Sequence, residues 1–249
     1  MHSLPTSLSG KTKLYLDILP QPDDITCGPT CLHAVYRYYG DPIPLNQLIL
    51  EIEQLKEGGT LNVYLACHAL RRGYKSTIFT YNLQLFDPTW FIHDSREIAE
   101  KLRLQKKYKK NDLLLQVASK AYLDFLELGG KLRCEVLTPA LIRRYLNRSI
   151  PLLTGLNATY LYNCPREIGK ANRLFYDDVQ GESVGHFVIL AGYDREKRNV
   201  LVVDPLMPNP VSENQQYEVN IFRLICAIML GIVTYDANLL IIEPRRRKK

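Results

Sequence analysis

Residues 29–39 place Leu32, Val35, Tyr36 and Tyr39 at i, i+3, i+4 and i+7, and Gly40 stands where a left-handed C′ cap would close the run. This spacing predicts a helix buried along one face. Leu45, Leu48, Ile49, Ile52 and Leu55 repeat the helical period until Gly58 and Gly59 break it, and Thr60 is placed to cap a third helix running to about Arg72. Short apolar runs bounded by turn residues read as strands at 74–81, 131–137, 151–156, 186–193, 199–203 and 238–242. Thr138-Pro139 marks the start of a helix reaching Leu146, and a last helix is expected near 219–230. The pattern is α+β, with most of the strands in the C-terminal half. Residues 82–128 read as a helical insertion: Phe86, Trp90 and Phe91 come first, then charged helical sequence, then the apolar-periodic stretch 113–128 ending at Gly129-Gly130.

At 249 residues, 46% hydrophobic and 23% charged, the chain has the composition of one globular domain spanning 1–249, and disordered, collagenous and fibrous classes are excluded. No fixed-period repeat is found. The longest apolar stretch, residues 224–233, is far short of the roughly 20 residues that a membrane span needs. Residues 1–14 carry Ser, Thr, Gly and Lys in place of a signal sequence's apolar region, so a cytoplasmic location is expected. The formal charge is +6, and Arg245, Arg246, Arg247, Lys248 and Lys249 account for five of it, which leaves the body nearly neutral ahead of a basic tail at 245–249. A second basic group, Lys101, Arg103, Lys106, Lys107, Lys109 and Lys110, reads as a solvated helix face, and nucleic acid is not an expected partner. The six cysteines are scattered through a chain too large to need disulfide staples and are expected to be reduced.

The segment Gln21-Pro22-Asp23-Asp24-Ile25-Thr26-Cys27-Gly28-Pro29-Thr30-Cys31-Leu32 puts a thiol at a helix start. Unpaired N–H groups and the positive end of the helix dipole there favour the thiolate, the nucleophilic form. Gly28 permits close approach of another segment, and Pro29 gives up an N–H that would have had no intrahelical partner. Gln21 is placed to pair its side-chain amide with the Cys27 backbone N–H as an oxyanion hole. Among the five histidines, His186 is the one in a strand-like setting, in Gly185-His186-Phe187-Val188-Ile189-Leu190. His33 and His68 fall within helical periodicity, His2 is terminal and His93 lies in the insertion. A hairpin after the His186 strand would bring Asp204, in Val202-Val203-Asp204-Pro205, beside the imidazole to orient it and stabilise its charged form. The alternative is a buried structural cysteine, a surface glutamine and an aspartate that begins a turn. Cys27, Cys31 and His33 do not have the spacing of a standard zinc site, and Ala34 stands where an iron–sulfur motif would need its third cysteine, so no metal or other cofactor is expected.

Taken together, Q-x5-C-G-P-x-C-L at 21–32, G-H-F-V-I-L-A-G-Y-D at 185–194 and V-V-D-P at 202–205 resemble the bacteriocin-processing (double-glycine leader) cysteine peptidase family of bacteria and its stand-alone relatives in the papain-like superfamily. The resemblance implies a papain-like fold, with the nucleophile at the N-terminus of a buried helix packed on a C-terminal antiparallel sheet. It further implies Cys27 as nucleophile, His186 as general base and acid, Asp204 as orienting residue and Gln21 as oxyanion donor, acting on a peptide or small protein through a thioester. Thr26 stands where transporter-linked members commonly have Asp, the segment 82–128 is longer than a minimal peptidase domain would carry, and a stand-alone member without a transporter half is expected. Two other functions fit the same residues: an acyltransferase or amidase in which an amine resolves the acyl-enzyme, and a non-catalytic scaffold that binds a partner through the aromatic insertion and basic tail.

Overall fold

In the computed structural model, which describes residues 10–56, 58–92, 94–170 and 173–245, the helix predicted from Leu32, Val35 and Tyr36 lies across the middle of a large sheet. His2, His93 and tail residues 246–249 lie outside the described residues. The elements follow one another as β1 (Lys11–Lys13), α1 (Cys27–Tyr38), α2 (Leu45–Glu51), α3 (Asn62–Arg71), β2 (Lys75–Thr80), α4 (Ser95–Tyr108), α5 (Leu113–Glu127), β3 (Lys131–Arg133), α6 (Pro139–Leu146), β4 (Leu152–Asn157), α7 (Ala158–Tyr162), β5 (Glu167–Lys170), β6 (Arg173–Tyr176), β7 (Gly185–Asp194), β8 (Asn199–Val203), β9 (Gln216–Asn220), α8 (Ile221–Leu230) and β10 (Asn238–Glu243).

The sheet runs β3-β2-β10-β4-β7-β8-β9, with β1 paired to the far end of β7. Every neighbouring pair is antiparallel except β2–β3, which is parallel. The architecture is therefore α+β, with the Cys27 helix packed on a mainly antiparallel sheet. The sheet is less C-terminal than expected, because β2 pairs with β10 from Lys75↔Glu243 to Thr80↔Asn238. Strands β4 and β7 are buried almost throughout, with α1, α6, α7 and α8 packed against them. Among the described residues, no helix is long and apolar enough to cross a membrane.

Three local expectations change. Thr60 does not cap α3: its hydroxyl donates to the Glu53 carbonyl at 2.7 Å, and the helix begins at Asn62. The last helix starts at Ile221, because the Asn220 side chain accepts from the Phe222 N–H at 3.0 Å and so ends the preceding strand β9. Residues 82–128 are helical but do not stand apart. Phe86, Ile98, Leu102, Leu115, Tyr122 and Phe125 join the same hydrophobic core as Ile78 and Leu65, and Phe86 meets Tyr122 edge-on with ring centroids 4.8 Å apart. Trimming 95–110 would remove Ile98 and Leu102 from that core, so this stretch contributes to stability.

Candidate active site

Cys27 is the first residue of α1, and the turn before it leaves that helix end without a neutralising side chain. Asp23 Oδ1 accepts from the Ile25 N–H at 3.0 Å, which folds the chain back just ahead of the helix. Thr26 occupies the N-cap position without a side-chain cap, and the first turn has no acidic residue. The Thr30 hydroxyl donates to the Thr26 carbonyl at 2.8 Å and the Thr30 N–H bonds the same oxygen at 3.0 Å, so the helix closes from within. The positive end of the dipole therefore acts on Cys27 and its surroundings. Gly28 is required for packing. A Cβ at that position would lie 2.8 Å from Thr60 Cγ2 and 3.2 Å from Phe187 Cδ2, so a side chain would push α1 away from β7.

Phe187 follows His186, the second residue of β7, which pairs with Leu156 of β4. Strand β8 returns beside β7 in the expected hairpin, with Ile189 opposite Val203, and the next residue is Asp204. His186 Nε2 lies 2.8 Å from Asp204 Oδ1. The other ring nitrogen, Nδ1, is the one left for Cys27, whose sulfur is close enough to act on the charge of the imidazole. Burial acts to keep this ring neutral. The adjacent Asp204 carboxylate and the Cys27 sulfur outweigh it and raise the imidazolium to about 10. Asp204 is fully buried, which favours its neutral form, but the charge and hydrogen bond of His186, with further donors, hold the carboxyl down at about 2. The pair is thus an imidazolium and a carboxylate across the neutral range.

Sequence reasoning missed two residues that touch this group. The Tyr162 hydroxyl, at the end of α7, donates to Asp204 Oδ2 at 2.8 Å, and the Tyr217 hydroxyl, on β9, donates to the same oxygen at 2.6 Å. The available signals were small: Asn157 as a cap for a five-residue helix, and the alternation of Tyr217 and Val219 with polar neighbours.

Gln21 lies on the wall of a cleft of about 950 Å³ that also exposes Gly185 and His186. Its backbone N–H bonds the Pro205 carbonyl at 2.9 Å, which ties the loop before Cys27 to the turn after Asp204. The side-chain Nε2 donates one proton to the Asp23 carbonyl at 2.8 Å, and Oε1 is buried without a hydrogen-bond partner. The remaining walls are largely apolar, with Ile25, Leu114, Val117, Tyr176 and Met207 contributing, and they include the carboxylates Asp24 and Glu167. Burial raises Glu167, the nearby His186 charge opposes that rise, and Asp24 adds to it. His33 and His68 do not line the cleft. Among the described residues, no group of three or more His, Cys, Asp or Glu is placed to hold a metal ion.

No protein-family model matches the sequence, and no curated protein does. Solved structures do resemble the chain. One is a peptidase-like protein of Bacillus anthracis, 15% identical, with a TM-score of 0.48 over 96% of this chain and 99% of that one. A double-glycine-motif protease from an AMS/PCAT transporter, solved with its leader peptide, is 13% identical, with a TM-score of 0.43 over 94% of each chain. Xylellain, a cysteine protease of Xylella fastidiosa, is 14% identical, with a TM-score of 0.43 over 96% of this chain and 88% of its own.

Proposed function

We propose that the chain is a cysteine hydrolase that cleaves a peptide or amide bond through a thioester on Cys27. The observation that supports this reading is the grouping of three side chains: a Cys27 thiol at an uncapped helix start, whose sulfur acts on the His186 imidazole, and a buried Asp204 carboxylate that holds the Nε2 of that ring, with His186 on the wall of an open cleft. In this mechanism the Cys27 sulfur attacks the carbonyl carbon, and the C=O electron pair moves onto oxygen. To that oxyanion we assign two donors, the Cys27 backbone N–H at the start of α1 and the second amide proton of Gln21. The tetrahedral species then collapses, the C–N bond breaks, and His186 gives its proton to the departing amine, leaving the acyl group on sulfur. Water attacks the thioester while the now neutral His186 takes its proton, and the carboxylic acid leaves with Cys27 restored. The apolar walls suit a peptide that carries apolar side chains along the cleft.

The test uses thiol chemistry, for which no substrate need be known. Iodoacetamide at neutral pH is expected to modify Cys27 first, well ahead of the exposed Cys134 and Cys226. Cys31 and Cys67 are buried, and burial raises both thiols, Cys67 to about 12. A peptide carrying an electrophilic warhead should then give an adduct that mass spectrometry places on Cys27, with none on the Cys27→Ala protein. Modification of Cys134, Cys226 and Cys27 at one common rate, with no peptide adduct at Cys27, would remove the catalytic reading and leave the scaffold.

A further inference from the structure

Asp204 accepts more hydrogen bonds than orienting a ring requires. Oδ1 takes His186 Nε2 at 2.8 Å and the Leu206 N–H at 2.9 Å, which already fixes the carboxylate plane against the imidazole. Oδ2, which faces away from the ring, takes the two phenols at 2.8 and 2.6 Å. Both oxygens of a carboxylate with no solvent exposure are thereby filled, each with two donors. The phenols come from two independently anchored elements. Tyr217 sits on β9, paired through Val202 of β8. Tyr162 ends α7, whose start is capped by Asn157 accepting from the Tyr160 N–H at 2.9 Å and whose end is held by Arg223 Nε on the Leu161 carbonyl at 3.1 Å. Burial and the neighbouring carboxylate both disfavour phenolate at either tyrosine, so the two remain donors throughout the working pH range.

A buried imidazolium–carboxylate pair has a neutral competitor: the proton moves from Nε2 to Asp204, giving a carboxylic acid and an uncharged imidazole. Donors on the far oxygen stabilise the ionised carboxylate more than the acid, whose carbonyl oxygen is the weaker acceptor. We infer that Tyr162 and Tyr217 are positioning residues that lock the proton on His186 by holding Asp204 as the anion, and so preserve the positive charge that faces Cys27. The inference rests on the relay proposed above and adds to it two residues that neither attack nor transfer a proton to the substrate.

The test is histidine-labelled nitrogen NMR together with the rate of Cys27 alkylation by iodoacetamide at pH 6, on Tyr217→Phe, Tyr162→Phe and the double variant, each also made in an Asp204→Asn background. The expected result is that His186 Nε2 moves from the protonated toward the unprotonated shift, most in the double variant, and that alkylation slows by roughly ten-fold, the loss expected for a hydrogen bond to a charged group. In the Asp204→Asn background the same tyrosine changes should alter neither quantity further. If the double variant does not fold, Tyr217→Phe alone carries the comparison. An unchanged Nε2 shift, or a slowing of equal size with and without Asp204, would overturn the inference. Failure of the relay itself looks different: Asp204→Asn and His186→Ala would then leave Cys27 alkylation at the wild-type rate.

Discussion

Two histidines in this molecule sit among nearly the same partners and arrive at different chemistry. His68 on α3 meets the Tyr36 hydroxyl at Nδ1, 2.8 Å away, and Glu51 at Nε2, 2.9 Å away. Around it, Arg72 lies over the Tyr36 ring at 5.1 Å and pairs with Asp41, which also accepts from Tyr74 at 3.0 Å. His186 likewise has a carboxylate, with two tyrosines behind it. The differences lie in the carboxylate's exposure and in the second nitrogen. Glu51 has 42% of its side chain exposed, whereas Asp204 has none, so water screens one pair and not the other. Both nitrogens of His68 are taken by groups that hold α1, α2 and α3 together. At His186 one nitrogen is held by Asp204 and the other is left for the Cys27 sulfur, with the ring on the wall of a cleft. On the proposed function, a ring nitrogen left for a thiol therefore separates these two sites, and the polar company around the ring does not.

The comparison breaks first under alanine. His186→Ala and Cys27→Ala should each lower turnover of a cleaved peptide by roughly three orders of magnitude or more, because relay members act as a unit. His68→Ala should leave turnover within a few-fold and instead lower unfolding free energy by about 1–3 kcal/mol, through the buried hydroxyl it strands. Chemical denaturation and a rate assay on the same preparations decide it, and a reversal of the two phenotypes would make His68 the functional ring. Next in size is Asp204→Asn, which should cost roughly 10- to 100-fold in rate. Its amide oxygen can still accept from His186 and Leu206 while its N–H groups turn to the phenol oxygens, so orientation survives and charge is lost. A rate equal to that of His186→Ala would show that the charge, and not the geometry, carries the whole contribution.

A pH series sharpens the same contrast. His186 is raised to about 10 in the folded chain, so its contribution to stability is fully present below the ordinary histidine range and fades as pH rises toward about 10. Asp204 is lowered to about 2, so its contribution is present above the ordinary carboxylate range and is lost as pH falls toward about 2. The stability advantage of the wild type over His186→Ala should therefore be largest between roughly pH 4 and 6.5 and shrink on the alkaline side. The basic limb of the turnover profile should mark the same loss of the His186 proton. An advantage that stays flat from pH 6 to 10 would mean that the imidazole is not held charged.

The three residues of the proposed relay stand out in the sequence because their signals are local: a Cys-Gly-Pro helix start, a Gly-His on an apolar strand, and an Asp-Pro one hairpin later. Hairpin pairing of β7 and β8 follows from sequence adjacency, and it fixes the approach of Asp204 to His186. Tyr162 and Tyr217 were not legible in the same way. They lie 42 and 13 residues from Asp204, on a five-residue helix and a five-residue edge strand, and short elements leave little periodicity to read. The boundary at Asn220 was available as a capping residue, but the apolar run after it draws the helix forward into Val219. For residues 82–128 the period was plain and the depth was not, since amphipathic spacing cannot distinguish a lid from a core wall. Gln21 was read as an oxyanion donor beside the Cys27 N–H, and its place on the cleft wall is a finding of the structure. The bond from its amide to the Asp23 carbonyl depends on the course of the loop, which spacing does not encode.

The smallest effect belongs to Glu51, and it tests the screening half of the comparison. The hydrogen bond from His68 comes first, then that from Gln47, and together they lower the Glu51 carboxyl against a small opposing effect of burial. A lowered carboxyl contributes stability above the usual carboxylate range and loses it as pH falls through its own lowered value. Glu51→Gln should therefore shift the urea midpoint slightly at pH 7, less in high salt, and converge with the wild type in acid, with turnover untouched throughout. Gln can still accept one bond from His68, so what disappears is the charge. A midpoint shift that persists unchanged at low pH and high salt would mean that Glu51 acts through packing, and the contrast with Asp204 would then have to rest on the direction of the second ring nitrogen alone.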